Sequence, residues 1–294
     1  MNIFICSIIS KKNLRFLNSY LNSLNQLKLS SNYKLKMVFI LNPKIDKAKY
    51  IIKKNLRKID YEILESSKNN IPFSRNIFLK FIKNKYYQYA GFLDDDCIID
   101  KNWLLNMIYF INKNNCDIVG GPQKHKFKNE KFRHYYEILE PRRTEGKSVK
   151  WVATNNCFFS KKVLINSNIK FDLRFANYGG SDQLFFSELS KRKFKIKWNK
   201  NSFITENYNP ERERKIWFLK RNLRYGYSGN LIDKKIYGKM SFIIIFIKIF
   251  YLVFCALFFL FLPTRKNIIR FLFFLSKASG RLIGVFNYKP KKYI

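Results

Sequence analysis

Short apolar runs alternate with helical stretches over the first hundred residues, and that alternation leaves the chain few folds to choose from. Met1–Ile9 reads as a short buried strand; it lacks the basic start and small-residue cleavage site of a leader peptide. A helix follows, with Leu14, Leu17, Leu21 and Leu24 at 3-4-3 spacing. Met37–Leu41 is the next apolar run, ended by Asn42-Pro43. Lys44–Lys58 reads as helical, Tyr61–Leu64 as extended and Ser74–Lys83 as helical again. Tyr89–Leu93 is another buried run, and it stops at Asp94-Asp95-Asp96. Strands that alternate with helices imply βαβ units, hence an α/β fold with a mainly parallel sheet and ligands at the carboxyl ends of its strands. Further on, Asp117–Val119 and Val149–Ala153 read as strands and Ser181–Lys191 as a helix, with no internal repeat.

Charge and composition narrow the function classes. The 294 residues carry 57 Lys+Arg against 20 Asp+Glu, a net charge of +37, which suits an acidic partner: nucleic acid, an anionic membrane face or phosphate-bearing substrates. A bias towards Lys, Asn, Ile and Phe along the whole chain explains the charge equally well, so function has to be read from local sites. With 47% apolar residues the chain is no disordered polycation. The five cysteines, at 6, 97, 116, 157 and 255, show no CxxC spacing, which argues against a disulfide framework or a thiolate zinc site. His125 and His134 fit neither HExxH nor a finger and read as surface residues, so triads that need a histidine base have little to work with.

Composition changes near residue 231. Phe242–Leu262 is apolar with Lys248 as its only charge, and Pro263 ends it; it is long enough to reach across a bilayer core, with Lys248 snorkelling towards one interface. Ile268–Phe286 carries Arg270, Lys277 and Arg281 and reads as interfacial. Basic residues flank the first run at both ends, so the positive-inside rule gives no orientation. The expected division is a domain over 1–230 and a basic, hydrophobic membrane-association segment over 231–294.

Three features carry chemistry. Three carboxylates at the mouth of a buried strand repel one another unless a cation neutralises them, and hard oxygens suit Mg²⁺ or Mn²⁺. On an extended segment Asp94 and Asp96 share a face, as candidate metal and ribose ligands, while Asp95 points the other way as a structural residue. In Tyr178-Gly179-Gly180-Ser181-Asp182 the glycines allow an irregular backbone, Ser181 is a candidate helix cap, and Asp182 is either a capping acid or a general base. Finally, Trp217, Arg221 and Arg224 share a helical face, where forked guanidinium groups suit a diphosphate.

In order, Ser74-Arg75-Asn76, Phe92–Asp96, Trp103-Leu104, Asp117–Pro122, Ala153–Asn156, Phe171-Asp172, Gly179–Asp182 and Trp217…Arg221…Arg224…Gly226 resemble the family 2 glycosyltransferases, nearest to the bacterial exopolysaccharide type, over about residues 1–230. The resemblance implies a GT-A fold, a mixed and mainly parallel sheet flanked by helices. It also implies inverting transfer of a sugar from a nucleotide-diphosphate donor to a glycan or lipid-linked acceptor. It assigns Asp94 and Asp96 to the DxD motif that meets ribose and metal, and Asp182 to the base. Arg75 falls near the donor, and Arg221 and Arg224 by the leaving diphosphate. Three departures stand out. Asn42 occupies the end of the second strand, where an acid often reads the donor's base. Ser181 replaces a frequent Glu, and Glu206 sits where many members place a metal-binding His, as a substitute oxygen ligand. The whole implies a cytoplasmic-face, membrane-associated enzyme with a nucleotide-sugar donor and no nucleic-acid partner. Two rivals predict other behaviour: a nucleic-acid or phosphoryl-transfer enzyme would show steep salt dependence, and a catalytically inactive scaffold would bind no nucleotide sugar.

Overall fold

The computed structural model describes residues 1–139, 143–207, 209–261 and 264–286. Leu262 and Pro263, at the end of the long apolar run, and the last eight residues of the expected C-terminal segment lie outside the described residues. In chain order come β1 (Asn2–Ser10), α1 (Leu14–Asn25), β2 (Lys34–Asn42), α2 (Asp46–Asn55), β3 (Asp60–Glu65), α3 (Ile71–Ile82), β4 (Tyr89–Leu93), β5 (Cys97–Ile99), α4 (Trp103–Lys113), β6 (Ile118–Gly120) and β7 (Gln123–His125). They are followed by α5 (Arg133–Leu139), β8 (Asn156–Ser160), α6 (Lys162–Ile165), α7 (Ser181–Lys191), β9 (Ile196–Trp198), β10 (Ile204–Glu206), α8 (Lys215–Tyr237), α9 (Ser241–Phe258) and α10 (Arg265–Val285). Backbone packing divides the chain into two units: Met1–Lys126, Arg143–Leu173 and Asp182–Asn207 form the first, and the remaining segments the second. The composition change expected near residue 231 falls inside α8.

The first unit is built on a seven-stranded sheet in the order β3-β2-β1-β4-β8-β6-β9. β3, β2, β1 and β4 are mutually parallel, and β8 runs antiparallel between β4 and β6. Both faces are covered, which is why β1 and β2 read as continuous apolar runs. Alternate residues serve opposite faces: Met37, Phe39 and Leu41 join the core under α1, α2 and α4, while Val38 and Ile40 join the core under α3, α6 and α7. The 3-4-3 leucines of α1 behave as their spacing requires, with Leu17, Leu21 and Leu24 fully buried, each contributing about 1.5–3 kcal/mol of apolar transfer. A three-stranded sheet, β5-β10-β7, forms beside the chain's acidic segment. All five cysteines are free thiols.

Two local expectations need correction. Val149–Ala153 is not a strand: Ser148 makes a single bridge to Lys197 and the chain then runs irregularly. Val152 is fully buried, which gave the segment its strand-like look. The strand is the next segment, β8, four of whose five residues are buried between β4 and β6. α3 begins at Ile71, three residues earlier than its apolar pattern suggests. The Asn70 side chain accepts from the Phe73 N–H at 3.0 Å, and Pro72 sits in the first turn.

The second unit contains α5, α8, α9 and α10. Gly238, at φ 57°, turns the chain between α8 and α9. Among the described residues, Lys215–Phe258 is the one helical stretch long and apolar enough to cross a membrane, by length and composition. One stripe of α9 (Ile245, Ile249, Leu252, Ala256) is buried, whereas Ile247, Phe250, Tyr251 and Phe254 are exposed. Lys248 Nζ donates to Asp233 Oδ1 at 2.6 Å.

Candidate active site

The chain adds β2 and β3 on one side of β1 and then β4 on the other, so the switch in strand order lies at the β1/β4 boundary. In such sheets the carboxyl ends of the strands at the switch form the ligand crevice. The acidic triplet begins where β4 ends. Asp95 is buried and turned inward, its Oδ2 accepting from the Ser10 N–H at 2.8 Å and its Oδ1 from Asn13 Nδ2 at 2.6 Å. It ties the loop after β4 to the end of β1. Burial pushes its proton affinity well above the usual carboxylate range, Asp96 and Asp94 add to the rise, and the two hydrogen bonds oppose it.

Asp94 is half-buried and Asp96 buried. The Asp96 carbonyl accepts from the Asn207 N–H at 2.8 Å and from Asn207 Nδ2 at 3.1 Å, which docks the end of β10 on the triplet. Glu206, one residue earlier, pairs in register with both Cys97 and His125. Its Oε2 lies 2.7 Å from His125 Nδ1 and accepts from Gln123 Nε2 at 2.8 Å. Gln123 in turn accepts from Asn155 Nδ2. His125 is therefore a half-buried member of a polar network and not a surface residue, whereas His134 pairs with Glu137 in a more exposed setting. The next residue, Asn156, locks the start of β8. Its Nδ2 donates to the carbonyls of Pro122 and Ser202, and its Oδ1 accepts from Trp103 Nε1 at 2.7 Å.

Asp182 lies in the first turn of α7, where its Oδ1 accepts from the Gln183 N–H at 2.8 Å. Gly179 and Gly180 enter the turn at φ 77° and 90°, a region open to glycine. Ser181 is itself the first residue of α7, so the expected cap position belongs to Gly180. Phe185, one turn on, stacks on Phe171 at 4.1 Å and fixes α7 against the sheet. Arg75, on α3, places its guanidinium 5.4 Å from the centre of the same Phe171 ring.

The buried Cys157 thiol reports how these charges gather. Cys157 faces Phe92 across the β4–β8 ladder. Burial pushes its pKa up; the charge of Arg75 lowers it, and those of Asp182 and Asp94 raise it. Cys6, facing Phe92 on the other side, feels burial first, then Arg75 and Asp94. The charges of Arg75 and Asp94 thus reach both thiols, and that of Asp182 reaches Cys157. Asn42 is buried at the end of β2, and its Oδ1 accepts from the Asn70 N–H at 3.1 Å, a bond that joins β2 to the start of α3. Arg221 and Arg224 lie on α8 in the second unit, and the Arg221 guanidinium packs 4.9 Å from Trp217 and 5.1 Å from Tyr225.

Sequence reasoning missed Arg143. Its guanidinium packs 4.7 Å from the Trp151 ring and 4.4 Å from Trp198; burial lowers its pKa to about 10, and the charge of Asp182 opposes that fall. The available signal was an arginine pair followed by two scattered tryptophans, and only the fold brings those together. For a metal ion, no group of three or more His, Cys, Asp or Glu is arranged as ligands among the described residues. Asp94 and Asp96 still fit the Mg²⁺-like mode, in which one or two carboxylates act with substrate phosphates.

A mainly parallel sheet with an antiparallel β8 and an acidic triplet just past β4 at the switch point defines a GT-A nucleotide-sugar transferase fold. The family model for glycosyl transferase family 2 matches residues 8–168, and the chain belongs to that family of glycosyltransferases. Solved structures show the same fold. S. aureus TarS matches with a TM-score of 0.55 and 14% identity over 98% of this chain and 54% of TarS, so the chain spans about half of that protein's length. TarS 1-349 in complex with UDP-GlcNAc matches at 0.55 and 12% identity, covering 98% and 92%. The mannosyltransferase PcManGT from Pyrobaculum calidifontis, in complex with GDP-Man and Mn²⁺, matches at 0.68 and 9% identity, covering 98% and 88%. No curated protein sequence matches.

Proposed function

We propose that the chain transfers a sugar, with inversion, from a nucleoside-diphosphate donor to a hydroxyl of a glycan or lipid-linked acceptor in cell-surface polysaccharide synthesis. The observation that carries this reading is the Phe171 ring, which meets Arg75, the α7 residue Phe185 and the β4 residue Phe92, next to a buried Cys157 thiol that the charges of Arg75, Asp94 and Asp182 all reach. Asp182 takes the proton from the acceptor hydroxyl as the new glycosidic bond forms; a direct displacement needs one such base, and attack opposite the leaving group inverts the anomeric centre. Asp94 holds the donor ribose and, with Asp96, a divalent ion. A bound Mg²⁺ or Mn²⁺ offsets negative charge on the leaving diphosphate. Glu206 is a third candidate oxygen ligand, one that must loosen its contacts with His125 and Gln123 to serve. Arg75 binds the donor, and Asn42 borders it at the end of β2. Arg221 and Arg224 are assigned to the diphosphate on the family resemblance. The mannosyltransferase relative holds GDP-Man and Mn²⁺ and TarS 1-349 holds UDP-GlcNAc, which supports a nucleotide-sugar donor and a divalent ion here.

The exposed apolar side of α9, flanked by Lys234, Lys235 and Lys239 before it and Arg265 and Lys266 after it, supports association with an anionic membrane surface, which we assign to the cytoplasmic face. The test is a thermal-shift screen of nucleotide sugars with and without Mn²⁺. A true donor at a hundred times its Kd stabilises the chain by about 2.7 kcal/mol, and the shift should depend on the ion. No shift with any nucleotide sugar contradicts the reading.

A further inference from the structure

Asp233 is the only acidic residue in the sequence after Glu213, and thirteen Lys or Arg lie between Lys215 and Phe286. The fold buries that one carboxylate and surrounds it with cations. α8 and α10 meet backbone to backbone: a Cβ on Gly226 would come within 2.1 Å of the Lys277 carbonyl oxygen, and one on Gly280 within 1.9 Å of the Leu223 carbonyl oxygen. The contact sets Arg281, itself buried, against α8, where its Nη1 donates to Asn230 Oδ1 at 2.9 Å and to Asp233 Oδ2 at 2.8 Å. Asn230 Nδ2 returns a bond to the Arg281 carbonyl, at 2.6 Å. From α9, Lys248 Nζ takes the other oxygen of Asp233. Lys277 is half-buried one turn before Arg281 on the same face of α10, and no carboxylate pairs with it among the described residues. Like charges four apart on a helix repel.

Lys248 and Arg281 thus share one carboxylate, Lys277 lies one turn from Arg281 without it, and Arg281 Nε is buried without a hydrogen-bond partner. Buried charge is tolerated when it is paired, and this stretch of chain holds no second acid to supply the pairing. A phosphate monoester or diphosphate brings up to two negative charges and several acceptor oxygens. Lys248, whose side chain is 39% exposed, and half-buried Lys277 leave the cluster open on one side. Exposed Phe250 and Phe254 belong to the same helix as Lys248 and suit an acyl chain.

We infer that Lys248, Lys277 and Arg281 form a binding site for the phosphate group of a lipid headgroup. The site deepens the membrane reading above and rests on it for the lipid source alone; the phosphate chemistry rests on the cluster. The test uses the full chain in neutral detergent, with dihexanoyl phosphatidic acid, dihexanoyl phosphatidylcholine and inorganic pyrophosphate as probes, followed by titration calorimetry. Phosphatidic acid should bind and phosphatidylcholine should not. Lys277→Gln should weaken binding about tenfold, the value of one charge-assisted hydrogen bond. Lys277→Arg should restore it, and Lys239→Gln, which removes an equal charge from a position outside the cluster, should leave it within about twofold. Equal losses in Lys277→Gln and Lys239→Gln, or none in either, overturn the site. Pyrophosphate binding with the same Lys277 dependence but no phosphatidic acid binding keeps the phosphate chemistry and refutes the lipid source. Donor-induced thermal shifts should be the same in Lys277→Gln as in the parent, so loss of donor binding tests the sugar-transfer reading separately.

Discussion

Replacing Asp95 separates what its carboxylate does for the fold from what its charge costs. The side chain is 3% exposed and accepts from the Ser10 N–H and from Asn13 Nδ2. Asp95→Ala leaves both donors without an acceptor at about 1–3 kcal/mol each, together about 2–6 kcal/mol, reduced by the relief of a buried charge beside Asp96 and Asp94. Asp95→Asn keeps an acceptor and removes the charge. Burial raises the folded-state pKa of Asp95 above its unfolded value near 4. Above the unfolded pKa the unfolded chain gives up this proton while the folded chain holds it, so the native state loses stability as pH rises towards the folded value and regains none beyond it. Asp95→Asn should therefore gain on the parent protein as pH rises from about 4.5 to 7.5, whereas Asp95→Ala should be the least stable of the three at pH 5. Urea unfolding followed by circular dichroism at several pH values reads both effects. A parallel pH dependence in Asp95→Asn and the parent would refute the argument that burial outweighs the two hydrogen bonds.

Other expectations test the frame that carries the site. Phe185→Ala removes a side chain stacked at 4.1 Å on Phe171, one turn from Asp182; it should cost about 3–5 kcal/mol in urea unfolding and weaken catalysis by loosening α7. Gly280→Val puts a Cβ 1.9 Å from the Leu223 carbonyl oxygen, so α8 and α10 must part. Overpacking of this kind costs about 1–3 kcal/mol, and an unchanged melting curve would show that the two helices do not meet there. Lys277→Gln, through its phosphate binding, tests the cationic cluster.

Much of this was legible because parallel strands covered on both faces have to be apolar throughout. Tyr89–Leu93 and Ser181–Lys191 coincide with β4 and α7 residue for residue, and Met37–Leu41 lies within β2. β5, β7 and β10, at three residues each, are too short to carry a periodic signal. β8 was hidden for another reason: Asn156-Cys157-Phe158-Phe159-Ser160 pairs on both sides, but its opening asparagine gives it the look of a turn. Asp95 turns inward as expected, but Asp95-Asp96 form a turn between β4 and β5 and not the extended run on which that expectation rested. The network from Asn155 through Gln123 and Glu206 to His125 did not, because it joins segments up to 83 residues apart. Asp233 escaped notice for the same reason. Its partners Lys248 and Arg281 lie 15 and 48 residues further on.

Turnover by Asp182→Asn, set beside its affinity for the nucleotide sugar that most stabilises the parent, bears most directly on whether the start of α7 and the end of β4 serve one sugar-transferring centre. Donor affinity should survive while kcat falls about 10²–10⁴-fold, or about 2.7–5.4 kcal/mol in the barrier. Undiminished turnover in the folded, donor-binding variant would contradict the account.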